Sequence, residues 1–164
     1  MVLNSTEKVI VLAILGAVLL GGSEFIFASQ DSHDNKMIQI PLFTVDKGIQ
    51  SGIQEPRFFL IKTEKEWENF WGLHKAPFVS KKQIPLIDFE QEMIIAVFSG
   101  EKKTGGYGIE ITKIEENREK GELIVLFLET QPPPKAMLTQ ALTQPYHIVK
   151  TRRIDFPVKF FPGC

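Results

Sequence analysis

Two apolar hexads, Met93–Phe98 (MIIAVF) and Leu123–Leu128 (LIVLFL), constrain this chain more than any other feature. Each is far shorter than the roughly 20 residues a membrane-spanning helix needs. Runs of this length, rich in branched side chains, read as strands. Successive side chains of a strand point to opposite faces, so MIIAVF requires a partner layer on both. With 43% hydrophobic residues the chain of 164 can supply such layers, and one domain of ordinary size plus a short accessory segment is expected.

The remaining pattern is mostly strands. Ile38–Val45 (IQIPLFTV) alternates loosely and contains Pro41, which predicts an edge strand. Lys47–Glu55 reads as a loop and Arg57–Lys62 as a short strand. Thr63 with Glu66 forms a capping-box pattern. Trp67, Phe70, Trp71 and His74 then recur on one helical face, so a helix over about 63–74 should place both tryptophans in the core. Ala76–Pro85 is a basic connection. Tyr107–Ile111 alternates, and the charged turn Glu115–Gly121 joins that segment to LIVLFL as a hairpin. Pro132, Pro133 and Pro134 start a rigid extended loop, and Tyr146–Lys150 and Val158–Phe161 close the domain as strands. The expected class is α+β or mainly β: a curled antiparallel sheet or small barrel with one packed helix.

The N-terminus carries a different signal. Val9–Gly22 (VIVLAILGAVLLGG) is unbroken apolar sequence after a short polar start containing Lys8. Its length suits a signal-peptide core. Residues 1–28 are therefore expected to be a signal peptide or an uncleaved signal anchor, with membrane attachment through 9–28 in the second case. Residues 29–37 read as a linker and 38–164 as the single domain. Either reading places the domain outside the cytoplasm. The lone cysteine, Cys164, cannot form an internal disulfide. It reads as an inert terminal thiol, with an intermolecular bridge as the alternative.

Between the first hexad and the alternating strand lies Lys102-Lys103-Thr104-Gly105-Gly106-Tyr107. Adjacent glycines permit φ > 0, which suits a tight hairpin turn between strands 93–98 and 107–114, with Tyr107 as its anchor. An exposed recognition tip is the functional alternative. Gly100–Gly105 spells G-x-x-x-x-G, but Gly106-Tyr107 stands where a phosphate loop needs Lys-Ser/Thr, and a strand follows instead of a helix.

Taken with Asp88-Phe89, Gly100, the proline loop and Thr143-Gln144-Pro145-Tyr146-His147, this stretch resembles the PrcB C-terminal domain family of extracytoplasmic bacterial modules. The resemblance runs over about Arg57–Phe161. It implies a non-catalytic protein-binding role, as an accessory subunit of a secreted or surface protease, with Lys102, Lys103, Thr104, Gly105, Gly106, Tyr107, Pro132, Pro133 and Pro134 as the candidate interaction loops. The family's lipoprotein cysteine is missing, so anchoring must differ.

Nothing in the sequence argues for chemistry. His33, His74 and His147 share no metal-ligand spacing, so no metal or cofactor is expected. Ser99 in Phe-Ser-Gly is not a nucleophile elbow. His147 reads as a structural or surface residue, and Asp88 and Asp155 as turn caps. A net charge of −1 gives no reason to expect nucleic acid. Two other functions fit a small β-rich exported domain. One is a protease inhibitor using loops as the chagasin-like family does, and the other is a cell-envelope structural or small-ligand-binding protein.

Overall fold

A computed structural model describes residues 37–76 and 83–163, which belong to the compact unit His33–Cys164. The signal, linker and Cys164 readings fall outside the described residues, except that Met37 already starts a strand. The chain runs β1 (Met37–Ile40), β2 (Phe43–Gly48), β3 (Pro56–Ile61), α1 (Glu64–Lys75), β4 (Glu92–Ser99), β5 (Gly108–Asn117), β6 (Glu122–Thr130), β7 (Tyr146–Arg152) and β8 (Val158–Pro162). These strands form two four-stranded sheets, β1-β5-β6-β8 and β2-β7-β4-β3. The α+β, mainly-β expectation holds, in the form of two facing sheets that do not close into a barrel.

The first hexad explains the layering. Met93, Ile95 and Val97 of β4 enter the core between the sheets, while Ile94, Ala96 and Phe98 enter a second core beneath α1. All six are essentially inaccessible to solvent. Trp67, Phe70, Trp71 and His74 pack onto this second core. At the helix start the Thr63 hydroxyl accepts from the Glu66 amide, and the Glu66 carboxylate accepts from the amide of Lys62. The second hexad differs. Leu123, Val125 and Phe127 are buried between the sheets, but Ile124 and Leu126 are only half-buried and Leu128 is exposed.

Three expectations need correction. Ile38–Val45 is not one strand: Pro41 and Leu42 break it, sending β1 to the edge of one sheet and β2 to the edge of the other. A proline has no N–H for the ladder, so the chain changes sheets there. The glycine stretch is not a hairpin turn, because β4 and β5 lie in different sheets and the segment between them is a crossover. Finally, β8 joins β6 in parallel, so the sheets are not wholly antiparallel. The β5–β6 hairpin forms as expected, with a bulge at Thr112.

His147 ties the two sheets together. Its Nδ1 accepts from the Ile111 amide of β5 (2.9 Å), so Nε2 carries the proton and donates to Thr44 Oγ1 of β2 (2.9 Å). β1 pairs with β5 only from Ile114 onward, and the imidazole supplies an acceptor to the strand beyond that point. Burial, then the nearby Lys47 charge, pushes the His147 pKa below the ordinary histidine value; Glu110 works against this. A depressed folded-state pKa means the unfolded chain binds the proton more readily. Stability from neutral His147 is complete above the unfolded value near 6.5 and is lost as pH falls through the folded value. Each unit of displacement is worth about 1.4 kcal/mol. Melting temperature should therefore drop from pH 7.5 to 5, and His147→Gln, which keeps a donor and an acceptor without titrating, should flatten that window in a thermal-melt series.

Candidate interaction surface

The crossover from β4 to β5 is held by the later loop between β6 and β7. Lys102 and Thr143 exchange backbone hydrogen bonds (2.8 and 2.9 Å), and the Ser99 amide donates to the Pro145 carbonyl. The Thr143 hydroxyl donates to the Thr104 carbonyl at 3.0 Å, and the Gly105 amide to the Thr139 carbonyl at 3.0 Å. Gly106 adopts φ 89° and lies against Pro132 and Leu138. Gly105 has no positive φ, so only the second glycine of the pair is conformationally required. The structure thus brings the glycine loop and the proline loop together as one surface.

Its relief is uneven. Lys103 and Gly106 are exposed; Lys102, Thr104, Gly105, Tyr107 and Pro132 are half-buried; Pro133 and Pro134 are exposed. Tyr107 is neither sunk in the core nor displayed, and its ring lies 5.7 Å from the Lys102 ammonium. Pro132–Pro134 does not run on as an extended loop, because the Ala136 amide folds back to the Pro133 carbonyl and Lys135 takes φ 65° at the turn. A side chain at positive φ is uncommon, and such turns persist where neighbours fix them. Just past the turn, Met137 is fully exposed and Leu142 is 58% exposed. Met137 lies within the proline loop Gln131–Thr139, whose exposure the sequence implies; Leu142 lies beyond it and is missed, since an isolated apolar residue in a loop carries no periodicity to show which way it faces.

A second polar cluster lies beneath the helix, and its spacing was invisible in the sequence. A bulge at Val45 in β2 turns Val45 and Asp46 toward the same side, placing Asp46 against α1. Ser51 Oγ bonds His74 Nδ1 at 2.8 Å, and His74 Nε2 donates to Asp46 Oδ2 at 3.3 Å. Lys75 makes a short ion pair with the same carboxylate oxygen. Burial raises the Asp46 pKa, but hydrogen bonds from His74, Lys75 and the Tyr146 hydroxyl, with the Lys75 charge, overcome it and hold the carboxyl well below its usual range. Burial first and the Asp46 charge second push Tyr146 far above the ordinary phenol.

Ser51, His74 and Asp46 stand in the order of a hydrolase triad, yet the arrangement cannot reach a substrate. Ser51 is 3% exposed and His74 is sealed, and Ser51 Oγ also accepts from the Ile53 amide. The hydroxyl meets Nδ1 and the carboxylate Nε2, the reverse of the serine-protease pattern. The cluster fixes α1 and the loop after β2 to the sheet. Asp88 caps its turn as expected, with Oδ1 accepting from the Glu90 amide. Asp155 instead pairs with Lys62 at 2.9 Å. Among the described residues no group of histidine, cysteine and carboxylate side chains is placed to hold a metal, and no helix is long and apolar enough to cross a membrane.

Among the described residues the fold is a two-sheet module, and two of its four positive-φ residues, Gly106 and Lys135, lie in the two interlocked loops. Residues 93–152, from β4 to β7 and including both loops, match the family model described as PrcB C-terminal. This is the family the sequence resembles, over a narrower span than the motifs suggested. Comparison with curated proteins and with solved structures finds none that matches.

Proposed function

We propose that this chain is a non-enzymatic, extracytoplasmic protein-binding module, an accessory subunit of a secreted or surface protease, and that the interlocked loops are its contact face. The observation that carries the reading is the joint between Gly105-Gly106 and the Pro132–Thr143 loop. Hydrogen bonds and close packing fix both loops while Met137 and Leu142 remain uncovered. Binding residues favour such loops on a rigid scaffold. The matched family's name supports a protease complex as the setting. The exported location rests on the apolar run Val9–Gly22.

Co-purification from the native cell envelope tests the proposal. Tagged protein should recover a defined partner, and Met137→Asp with Leu142→Asp should reduce recovery at least tenfold. Thermal stability should stay within about 0.5 kcal/mol, as for exposed positions in general. Failure of the unaltered protein to recover a specific partner, or full recovery by the double variant, would count against the loop face.

A further inference from the structure

A different part of the molecule has an incomplete hydrogen-bond ladder. β8 is the last strand of its sheet, and among the described residues no strand pairs with its outer edge. The Leu123 amide donates to the Pro157 carbonyl and the Gly163 amide to the Phe127 carbonyl, bracketing the parallel β6–β8 ladder. In parallel pairing alternate residues of a strand face the neighbour. Lys159 and Phe161 therefore point their backbone groups at β6. Val158 and Phe160 point theirs outward, together with the carbonyl of Pro162.

The same edge carries apolar surface. Phe160 stacks on Phe58 of β3 with centroids 4.5 Å apart, and Phe58 also meets Phe127. Phe58 and Leu60 remain 43% and 38% exposed although they flank the core between the sheets. Phe161, at 45%, lies beside Lys159 on the edge strand. Exposed edges with hydrophobic neighbours are templates for another strand.

We infer that β8 pairs antiparallel with β8 of a second copy of this chain, centred on Phe160. The free backbone groups select this register. Phe160 N–H and C=O meet those of Phe160 in the second copy, and each Val158 N–H meets a Pro162 carbonyl. The N–H that Pro162 lacks is the only ladder donor missing. Lys159, whose ammonium pairs with Glu122 of its own chain at 2.7 Å, then stands opposite Phe161 of the other copy, so no like charges face each other. The two Phe58–Phe160 stacks meet at the axis and cover the seam. A pairing centred on Lys159 would oppose two lysines and present backbone groups already used by β6. Apart from the donor that Pro162 lacks, the backbone pattern between Pro157 and Pro162 is thus self-complementary, and it sets no like charges opposite each other.

This inference does not depend on the loop face. Sedimentation velocity on the full chain should show a reversible monomer–dimer equilibrium. Phe161→Lys, which sets two lysines opposite each other twice per dimer, should weaken association at least tenfold. Phe161→Glu, which pairs with Lys159 of the other copy, should dimerise at least as well as the unaltered chain. Circular dichroism checks the fold of both variants. The Phe160 amide should also exchange more slowly with solvent as concentration rises. A monomer at concentrations up to about 1 mM, equal responses to the Lys and Glu substitutions, or a Phe160 amide indifferent to concentration would each overturn the pairing.

Discussion

Replacing Asp46 with alanine is expected to destabilise the protein by about 2–3 kcal/mol, below the range for a fully buried ion pair because the carboxylate itself is only half-buried. One carboxylate serves His74 Nε2, the Lys75 ammonium and the Tyr146 hydroxyl. Removing it deprives three groups in a largely apolar helix–sheet layer of a common acceptor. Buried polar atoms that lose an acceptor cost their desolvation. Asp46→Asn separates charge from hydrogen bonding: it keeps the volume and one acceptor oxygen, and should fall between alanine and the native residue. Chemical denaturation at pH 7 measures both. Asp46→Ala within 1 kcal/mol of the unaltered protein would show that the cluster does not hold α1 on its sheet.

The sign of the acid response follows from the same site. A carboxyl with a depressed folded pKa contributes stability that is complete above its unfolded value near 3.9 and is lost as pH falls through the folded one. The Asp46 contribution therefore persists through the window in which His147 titrates. The two losses should be separable, with His147 acting below about pH 6.5 and Asp46 only in strong acid.

Why Asp46 was not legible in the sequence is instructive. The helix face Trp67, Phe70, Trp71, His74 could be read because its repeat is local and matches 3.6 residues per turn. The hexad of β4 could be read because a fully apolar strand implies two neighbours. Asp46 faces the helix only because Val45 bulges, shifting the alternation by one residue. A bulge leaves no periodicity to detect. The crossover was misread for a related reason. Adjacent glycines between two strand patterns favour a hairpin, but nothing local says that β4 pairs with β3 and β7 while β5 pairs with β1 and β6. Sheet membership is set by long-range contacts, and the loop's partner, residues 132–143, lies beyond β5 and β6. The loops themselves could be named from the sequence, with Met137 inside the second of them; the exposed Leu142 beyond it could not.

The glycine pair at the centre of that loop supplies the sharpest contrast. Gly106→Ala should cost about 2–4 kcal/mol. Left-handed backbone costs an ordinary residue about 1–2 kcal/mol, and an added Cβ would sit 2.8 Å from Pro132 Cβ and 3.2 Å from Leu138 Cδ2, an overpacking typically worth about 1–3 kcal/mol. Gly105→Ala should be neutral or slightly stabilising. Its φ is ordinary, a Cβ there would meet Thr139 at 3.7 Å, and alanine narrows the unfolded ensemble. Two adjacent glycines would then respond in opposite directions, as no simple turn-propensity argument predicts. Because Gly106 bears on Pro132, the strain should pass to the loop that carries Met137. Gly106→Ala should thus weaken partner recovery even at temperatures where the domain stays folded, while Gly105→Ala leaves it intact. Equal destabilisation by the two variants in matched denaturation curves would mean that the loops are not locked together at Pro132, and the rigid contact face would lose its structural basis.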